Sequence, residues 1–152
     1  MFRYRVASLM LFGIFLGLAP FRVEAAFSKA LDLAVASGDT AAVDRVLATG
    51  VSVNSPVNRF GDIALEVAIR LDNLKMFQFL LARGADVEGG VARRSGIEFR
   101  PLAVAARFCR FEMVRLLLAR GAAANARNAE GLTALHDAVN PLGKPEAAYR
   151  QA

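Results

Sequence analysis

Apolar residues recur along the chain in pairs of short helical stripes. Leu31, Ala34 and Val35 lie at positions i, i+3 and i+4, and the same spacing returns from Leu65 and from Leu102. Because these positions share one face of an α-helix, each stripe predicts a short helix with one buried side. A second stripe follows each of the first ones in turn: Val43, Val46 and Leu47; Met76, Phe77, Leu80 and Leu81; Met113, Val114, Leu117 and Leu118.

These stripes belong to an internal repeat. Residues 30–54, 64–88 and 101–125 (units 1 to 3) align without a gap, and residues 134–140 form a partial unit 4; the first leucines are spaced by 34, 37 and 33 residues. A glycine closes each complete unit, where a helix can end in the left-handed conformation: Gly50, Gly84 and Gly121. Helix pairs this short cannot bury enough surface alone, so the pattern predicts an all-α solenoid of stacked helix-turn-helix units.

Two segments give the units a family resemblance. Gly84–Val87 reads GADV and Gly131–His136 reads GLTALH, which resemble the close and the opening of the ankyrin repeat. The resemblance covers residues 27–140 and implies protein binding across a concave face, with His136 held by Thr133. Two departures stand out: the linker after Glu88 is about four residues longer than the family's usual connection, and Asn140-Pro141 interrupts unit 4.

The resemblance also supplies candidate partner-binding residues. Carried over by position, the concave face includes Arg59, Phe60 and Asp62 at a hairpin tip, and Arg70, Leu71, Arg107 and Phe108 at the ends of first helices. Arginine and aromatic side chains dominate binding hot spots. We expect the arginines to be exposed, whereas Leu71 and Phe108 are open to a second interpretation as core residues.

The long linker holds the other candidate, the adjacent pair Arg93 and Arg94. Loops of unusual length are frequently functional, and two arginines suit a surface rich in carboxylates or phosphates. The alternative is a solvated loop without a partner.

The N-terminus reads as a signal peptide over residues 1–25. Arg3 and Arg5 precede an apolar run of 13 residues, 7–19, and small residues follow at Val23 and Ala25. Because about 20 apolar residues are needed to span a bilayer, we expect cleavage after Ala25 rather than a membrane anchor. This predicts a periplasmic or secreted chain with a repeat domain at 26–140 and a tail or incipient helix at 141–152. The alternative is an uncleaved inner-membrane anchor on an ankyrin scaffold.

The net charge and the small number of cysteines and histidines limit the classes of function further. The formal net charge is +5 and the sequence pI about 10.1, but removing the leader leaves 16 basic and 13 acidic residues, a net of +3. That mild charge and the leader disfavour nucleic-acid binding. The single cysteine, Cys109, and the single histidine, His136, are too few for common catalytic schemes or a metal site.

We therefore expect no enzyme, no cofactor and no small-molecule substrate. The chain is similar to small exported bacterial ankyrin-repeat proteins, which implies a monomer that binds a protein partner as an inhibitor, immunity protein or accessory factor. The sequence does not identify that partner.

Overall fold

The computed structural model describes residues 20–58, 61–89, 100–128 and 130–139. Within these residues the secondary structure is helical, apart from one isolated antiparallel bridge between Pro56 and Ile63. The helices are α1 (Pro20–Ser37), α2 (Thr40–Leu47), α3 (Ala64–Arg70), α4 (Leu74–Ala82), α5 (Pro101–Arg107), α6 (Phe111–Ala119) and α7 (Ala134–Val139). The predicted all-α helix-turn-helix architecture is confirmed.

The units stack through their first helices. α1 contacts α3, α3 contacts α5 and α5 contacts α7, while each first helix of a complete unit also contacts its own second helix. The apolar stripes of the first three units meet in one continuous core. Its fully buried large side chains include Leu31, Leu65, Phe77, Leu80 and Leu117. The solenoid is thus built as the repeat predicts, with most stripe residues of units 1 to 3 buried in a core that the units share.

The turn between the two helices of a unit has the same backbone form three times. Its central residue adopts a positive φ: 74° at Gly38, 56° at Asp72 and 54° at Cys109. In unit 1 the N–H of Gly38 donates to the carbonyl of Val35, and the N–H of Asp39 donates to that of Ala34. This pair of bonds is the Schellman motif, and units 2 and 3 repeat it at the equivalent positions.

The second helices of units 1 and 2 begin on side-chain caps directly after that turn. Asp39 Oδ1 accepts from the N–H of Ala42, and Asn73 Oδ1 accepts from that of Met76, both at 2.9 Å. Each cap satisfies an N–H that the first helical turn leaves unbonded. Arg110 holds the same position in unit 3 and makes no side-chain cap bond.

Ion pairs join consecutive units at the surface. Arg83 in unit 2 pairs with Asp44 in unit 1 and lies over the Phe79 ring, 4.5 Å from its centroid. Arg110 in unit 3 donates to Asp72 in unit 2 at 2.9 Å. Exposed pairs of this kind contribute about 1 kcal/mol or less each. They therefore adjust the alignment of units that the core already holds together.

The N-terminal helix continues beyond the predicted end of the signal peptide. α1 runs without a break from Pro20 to Ser37 and so passes through the predicted cleavage position at Ala25. The apolar run at 7–19, on which the leader prediction depends, lies outside the described residues. None of the helices that the structure does describe has the length and apolar character needed to cross a bilayer.

The repeated left-handed turn generates a stability prediction. We expect Cys109→Gly to raise the free energy of unfolding by up to about 1 kcal/mol, because a side chain at positive φ is strained and glycine is not. Gly38→Ala is expected to lower it by about 1 kcal/mol, and its added Cβ would lie 3.1 Å from Asn73 Nδ2. Urea unfolding followed by far-ultraviolet circular dichroism measures both changes. A Cys109→Gly variant less stable than the parent would contradict this interpretation of the turn.

Candidate functional site

The hairpin between units 1 and 2 is built around a buried carboxylate. Asp62 is 1% exposed, and Arg70 donates to it twice, from Nη1 to Oδ2 at 2.5 Å and from Nη2 to Oδ1 at 2.9 Å. Asn58 Nδ2 donates to the same Oδ2 at 3.0 Å, and the N–H of Asp62 donates back to Asn58 Oδ1. A two-bond arginine fork satisfies the carboxylate without water. This cluster therefore fixes the hairpin to the end of α3.

That geometry changes the interpretation of two predicted binding residues. Asp62 was expected at an exposed hairpin tip, but the structure buries its carboxylate because Arg70 and Asn58 fold over it. Arg70 is about one-third exposed and its guanidinium is committed to Asp62. Both residues support the hairpin, so neither offers a free charged group to a partner.

Four other predicted binding residues cannot be placed. Arg59 and Phe60 at the hairpin tip, and Arg93 and Arg94 in the long linker, lie outside the described residues. Their assignment to a binding surface stays a prediction.

The predicted apolar pair Leu71 and Phe108 lies on the surface. Leu74 and Phe111, which the sequence pattern did not single out, lie across the same turns. The four are exposed by 51% (Leu71), 36% (Leu74), 40% (Phe108) and 78% (Phe111). We call these four residues the turn strip. Of the two interpretations left open for Leu71 and Phe108, the structure supports exposure.

The turn strip follows from where the turns lie. Leu71 and Phe108 cap the C-termini of α3 and α5, and Leu74 and Phe111 begin α4 and α6. The Arg110–Asp72 ion pair joins the two turns, so the four residues lie at neighbouring turns of units 2 and 3. Unit 1 has Ser37 and Thr40 at the equivalent positions. The apolar residues are therefore a property of these two units and not a requirement of the turn.

The base of the long linker is held by one glutamate. Glu88 pairs with Arg100 at the other end of the linker, and its Oε1 accepts from the N–H of Ala123 at 2.5 Å. The two ends of the linker are thereby tied to each other and to the end of unit 3. Arg93 and Arg94 lie in sequence between these two fixed ends.

Two carboxyl groups on the first helices have perturbed titration. Burial, followed by the negative charge of Asp62, raises the pKa of Asp32 above its ordinary 3.8. Burial also raises the pKa of Asp137. Arg107 and His136 oppose this rise electrostatically, and the negative charge of Glu130 adds to it. The folded chain therefore binds each proton more tightly than the unfolded chain. At neutral pH the ionised carboxylates of Asp32 and Asp137 lower the free energy of unfolding. This penalty disappears as the pH falls through the raised pKa, because the carboxyl groups of the folded chain become protonated.

The single histidine has the structural role that the resemblance implies. His136 Nδ1 accepts from the N–H of Thr133 at 3.2 Å and lies 2.9 Å from Thr133 Oγ1. This contact closes the start of α7, and the prediction that Thr133 holds His136 is confirmed. Cys109, in the turn of unit 3, is exposed and has a free thiol.

Comparison with known families supports the repeat assignment. Residues 92–138 match a family model described as ankyrin repeats in many copies. The matched segment contains unit 3 and most of the first helix of unit 4, and units 1 and 2 have a similar period and stack in the same way. A search of curated proteins gave no match.

The buried carboxylate generates a prediction that separates support from recognition. Arg70→Gln is expected to lower the free energy of unfolding by about 2 kcal/mol or more, because it leaves Asp62 buried without its opposite charge. Chemical denaturation measures this loss beside that of a control variant, Arg45→Gln. The control should lose about 1 kcal/mol or less, because the pair between Arg45 and Asp39 is exposed on both sides. Equal losses of stability would show that the buried Asp62–Arg70 pair contributes no more than an exposed pair.

Proposed function

We propose that this chain, which belongs to the ankyrin-repeat family, is an exported module that binds one protein partner through its turn strip and the adjoining ends of the first helices. Ankyrin repeats generally mediate protein–protein interaction, and the solenoid described above is the scaffold for it. We further propose that the chain is exported and that it acts on its partner as an inhibitor, an immunity protein or an accessory factor.

One observation carries the proposal: four large apolar side chains lie exposed across two adjacent units. Contiguous exposed apolar surface on a soluble domain marks an interaction site more often than isolated exposed residues do. Aromatic residues at the centre of such a patch supply large contact area with few polar groups to desolvate. Phe108 and Phe111 are the two exposed aromatic residues of the strip, and Leu71 and Leu74 lie at the neighbouring turn.

The distribution of charge favours a protein over a nucleic acid. A nucleic-acid surface needs arginines and lysines clustered and available to phosphates. In the described structure several arginines are instead paired with carboxylates: Arg45, Arg70, Arg83, Arg100, Arg110 and Arg115. Such pairing supports a mixed surface suited to a protein partner.

The proposal of export depends on the leader sequence alone. Cleavage after Ala25 would begin the mature chain inside α1, leaving the segment from Ala26 that carries Leu31, Ala34 and Val35. An uncleaved leader would place the same binding module on the outer side of the inner membrane. Both versions put the repeats outside the cytoplasm.

The turn strip generates a binding prediction. We expect the double variant Phe108→Ser, Phe111→Thr to keep the parental circular dichroism, because unit 1 already folds with Ser37 and Thr40 at these positions. With a photocrosslinking residue at position 71, its partner adduct in the native cell should fall by about tenfold or more. Leu33→Ser serves as the matched control, since Leu33 is an exposed apolar residue on unit 1, away from the strip. An undiminished adduct in the double variant would refute the strip as the binding surface.

The leader generates a separate prediction. A reporter enzyme that is active only outside the cytoplasm, fused after residue 30, is expected to be active. Replacing residues in the apolar run at 7–19 by charged ones should abolish that activity. An inactive parent fusion would remove the export part of the proposal and leave the binding part untouched. N-terminal sequencing of the chain recovered from the native cell distinguishes cleavage after Ala25 from an intact anchor.

A further inference from the structure

Neighbouring turns of the solenoid meet through the same two positions at each of the first two junctions between units. These positions are the central, positive-φ residue of one turn and the residue that precedes the second helix of the next unit. Between units 1 and 2 they are Gly38 and Asn73, and a Cβ built on Gly38 would lie 3.1 Å from Asn73 Nδ2. Between units 2 and 3 they are Asp72 and Arg110, and Arg110 Nη1 donates to Asp72 Oδ2 at 2.9 Å. An ion pair therefore replaces a glycine and an amide.

The first member of this ion pair is placed in an unfavourable backbone conformation. Asp72 has a φ of 56°, and unit 1 has Gly38 at the same position with a φ of 74°. Aspartate tolerates the left-handed region better than most residues, but glycine adopts it without strain. Cys109 forms the equivalent turn in unit 3, so the turn itself does not require a carboxylate. The fold alone would therefore be better served by glycine at position 72.

The second member takes the place of a helix cap. The residues equivalent to Arg110 are Asp39 and Asn73, and each accepts a hydrogen bond from a backbone N–H in the first turn of its own helix. Arg110 makes no such bond, so α6 begins without a side-chain cap. Losing a cap generally costs as much stability as an exposed ion pair contributes, or more.

The ion pair does not offset both departures. Its side chains are 28% exposed for Arg110 and 58% exposed for Asp72, so water screens their attraction. The missing cap alone cancels the contribution of such a pair, and the positive φ of Asp72 adds a further penalty. Stability of the solenoid therefore does not explain why this junction carries an ion pair.

The position of the ion pair suggests another reason. Asp72 lies between Leu71 and Leu74 in the sequence, and Arg110 lies between the two phenylalanines of the turn strip. The bond from Arg110 to Asp72 therefore links the unit 2 half of the strip to the unit 3 half. Each unit of a solenoid contacts only its neighbours, so the orientation of one turn relative to the next depends on contacts at their junction. Holding two contact groups in place before binding lowers the entropy that association must overcome.

We propose that Asp72 and Arg110 are positioning residues, whose ion pair aligns the two halves of the turn strip for the protein partner. This inference rests on the proposed function of the strip and adds two polar residues that act through it. Breaking the ion pair should then have opposite effects on the two properties that can be measured. The stability of the chain stays the same or rises, whereas binding of the partner weakens.

Two variants copy the residues that the other units have at these positions. Arg110→Asn supplies the capping residue of α4, and Asp72→Gly supplies the turn residue of unit 1. Each is expected to keep or raise the urea midpoint followed by circular dichroism. With a photocrosslinking residue at position 71 of the full chain in its native cell, each should lower the yield of partner adduct by about threefold or more. The double variant should lose no more adduct than either single variant, because both changes break the same bond.

The two single variants also distinguish positioning from direct contact. Asp72→Gly leaves Arg110 in place, so an arginine that binds the partner itself would still do so. Adduct that falls with Arg110→Asn but not with Asp72→Gly would overturn the inference. Arg110→Lys should retain more than half of the parental adduct, because the ion pair is made through one nitrogen and needs only a charged donor. A lysine variant no better than the asparagine variant would overturn it as well.

Two further variants serve as controls. Arg83→Gln breaks the pair with Asp44, which joins units 1 and 2 at the C-terminal end of α4, and should leave the adduct at the parental level. An equal fall with this variant, or a fall in the urea midpoint that accompanies the loss of adduct in the Asp72 and Arg110 variants, would show a general structural effect and overturn the inference. Phe108→Ser, Phe111→Thr is measured in the same assay. If it lowers the adduct and the ion-pair variants do not, the inference alone is wrong; if none of them lowers it, the proposed function of the strip is wrong too.

Discussion

The whole solenoid depends on the close approach of its first helices. Ala34, Ala68 and Ala105 are buried at the same position of three consecutive units. A larger side chain there would force the helices apart and open the core, because packed interiors do not absorb extra volume without strain. The leucine three residues before each alanine is buried in the same core. One small residue per unit thus sets the distance at which every other contact in the array forms.

Stacking at that distance fixes where the connections must lie. In units 1 to 3 the first helix ends in a left-handed turn, and the residues that flank the turn lie at the surface. Because backbone hydrogen bonds close the turn, those flanking side chains are not needed to form it. Their chemistry is free to vary, and it does so between Ser37 in unit 1 and Leu71 and Phe108 in units 2 and 3. This freedom is the physical reason for regarding the turn strip as functional.

Periodicity was sufficient to predict the helices, the terminal glycines and the buried stripes, since these depend on local spacing. The Thr133–His136 contact was implied by the resemblance to the ankyrin repeat and not by the periodicity. It did not predict the role of Asp62, because a carboxylate at a hairpin reads as exposed unless the arginine eight residues later is known to fold back onto it. The repeat offered one signal for this difference: the position equivalent to Asp62 in unit 3 is Phe99, so the arginines of the two units cannot have the same partner.

Local spacing also could not predict that the turn strip is exposed, since a leucine at the end of a first helix suits both the core and the surface. The residues across the turn, Leu74 and Phe111, were missed because they read as the start of an apolar second helix. Comparison with Thr40, the polar residue at their position in unit 1, is the signal that could have identified them.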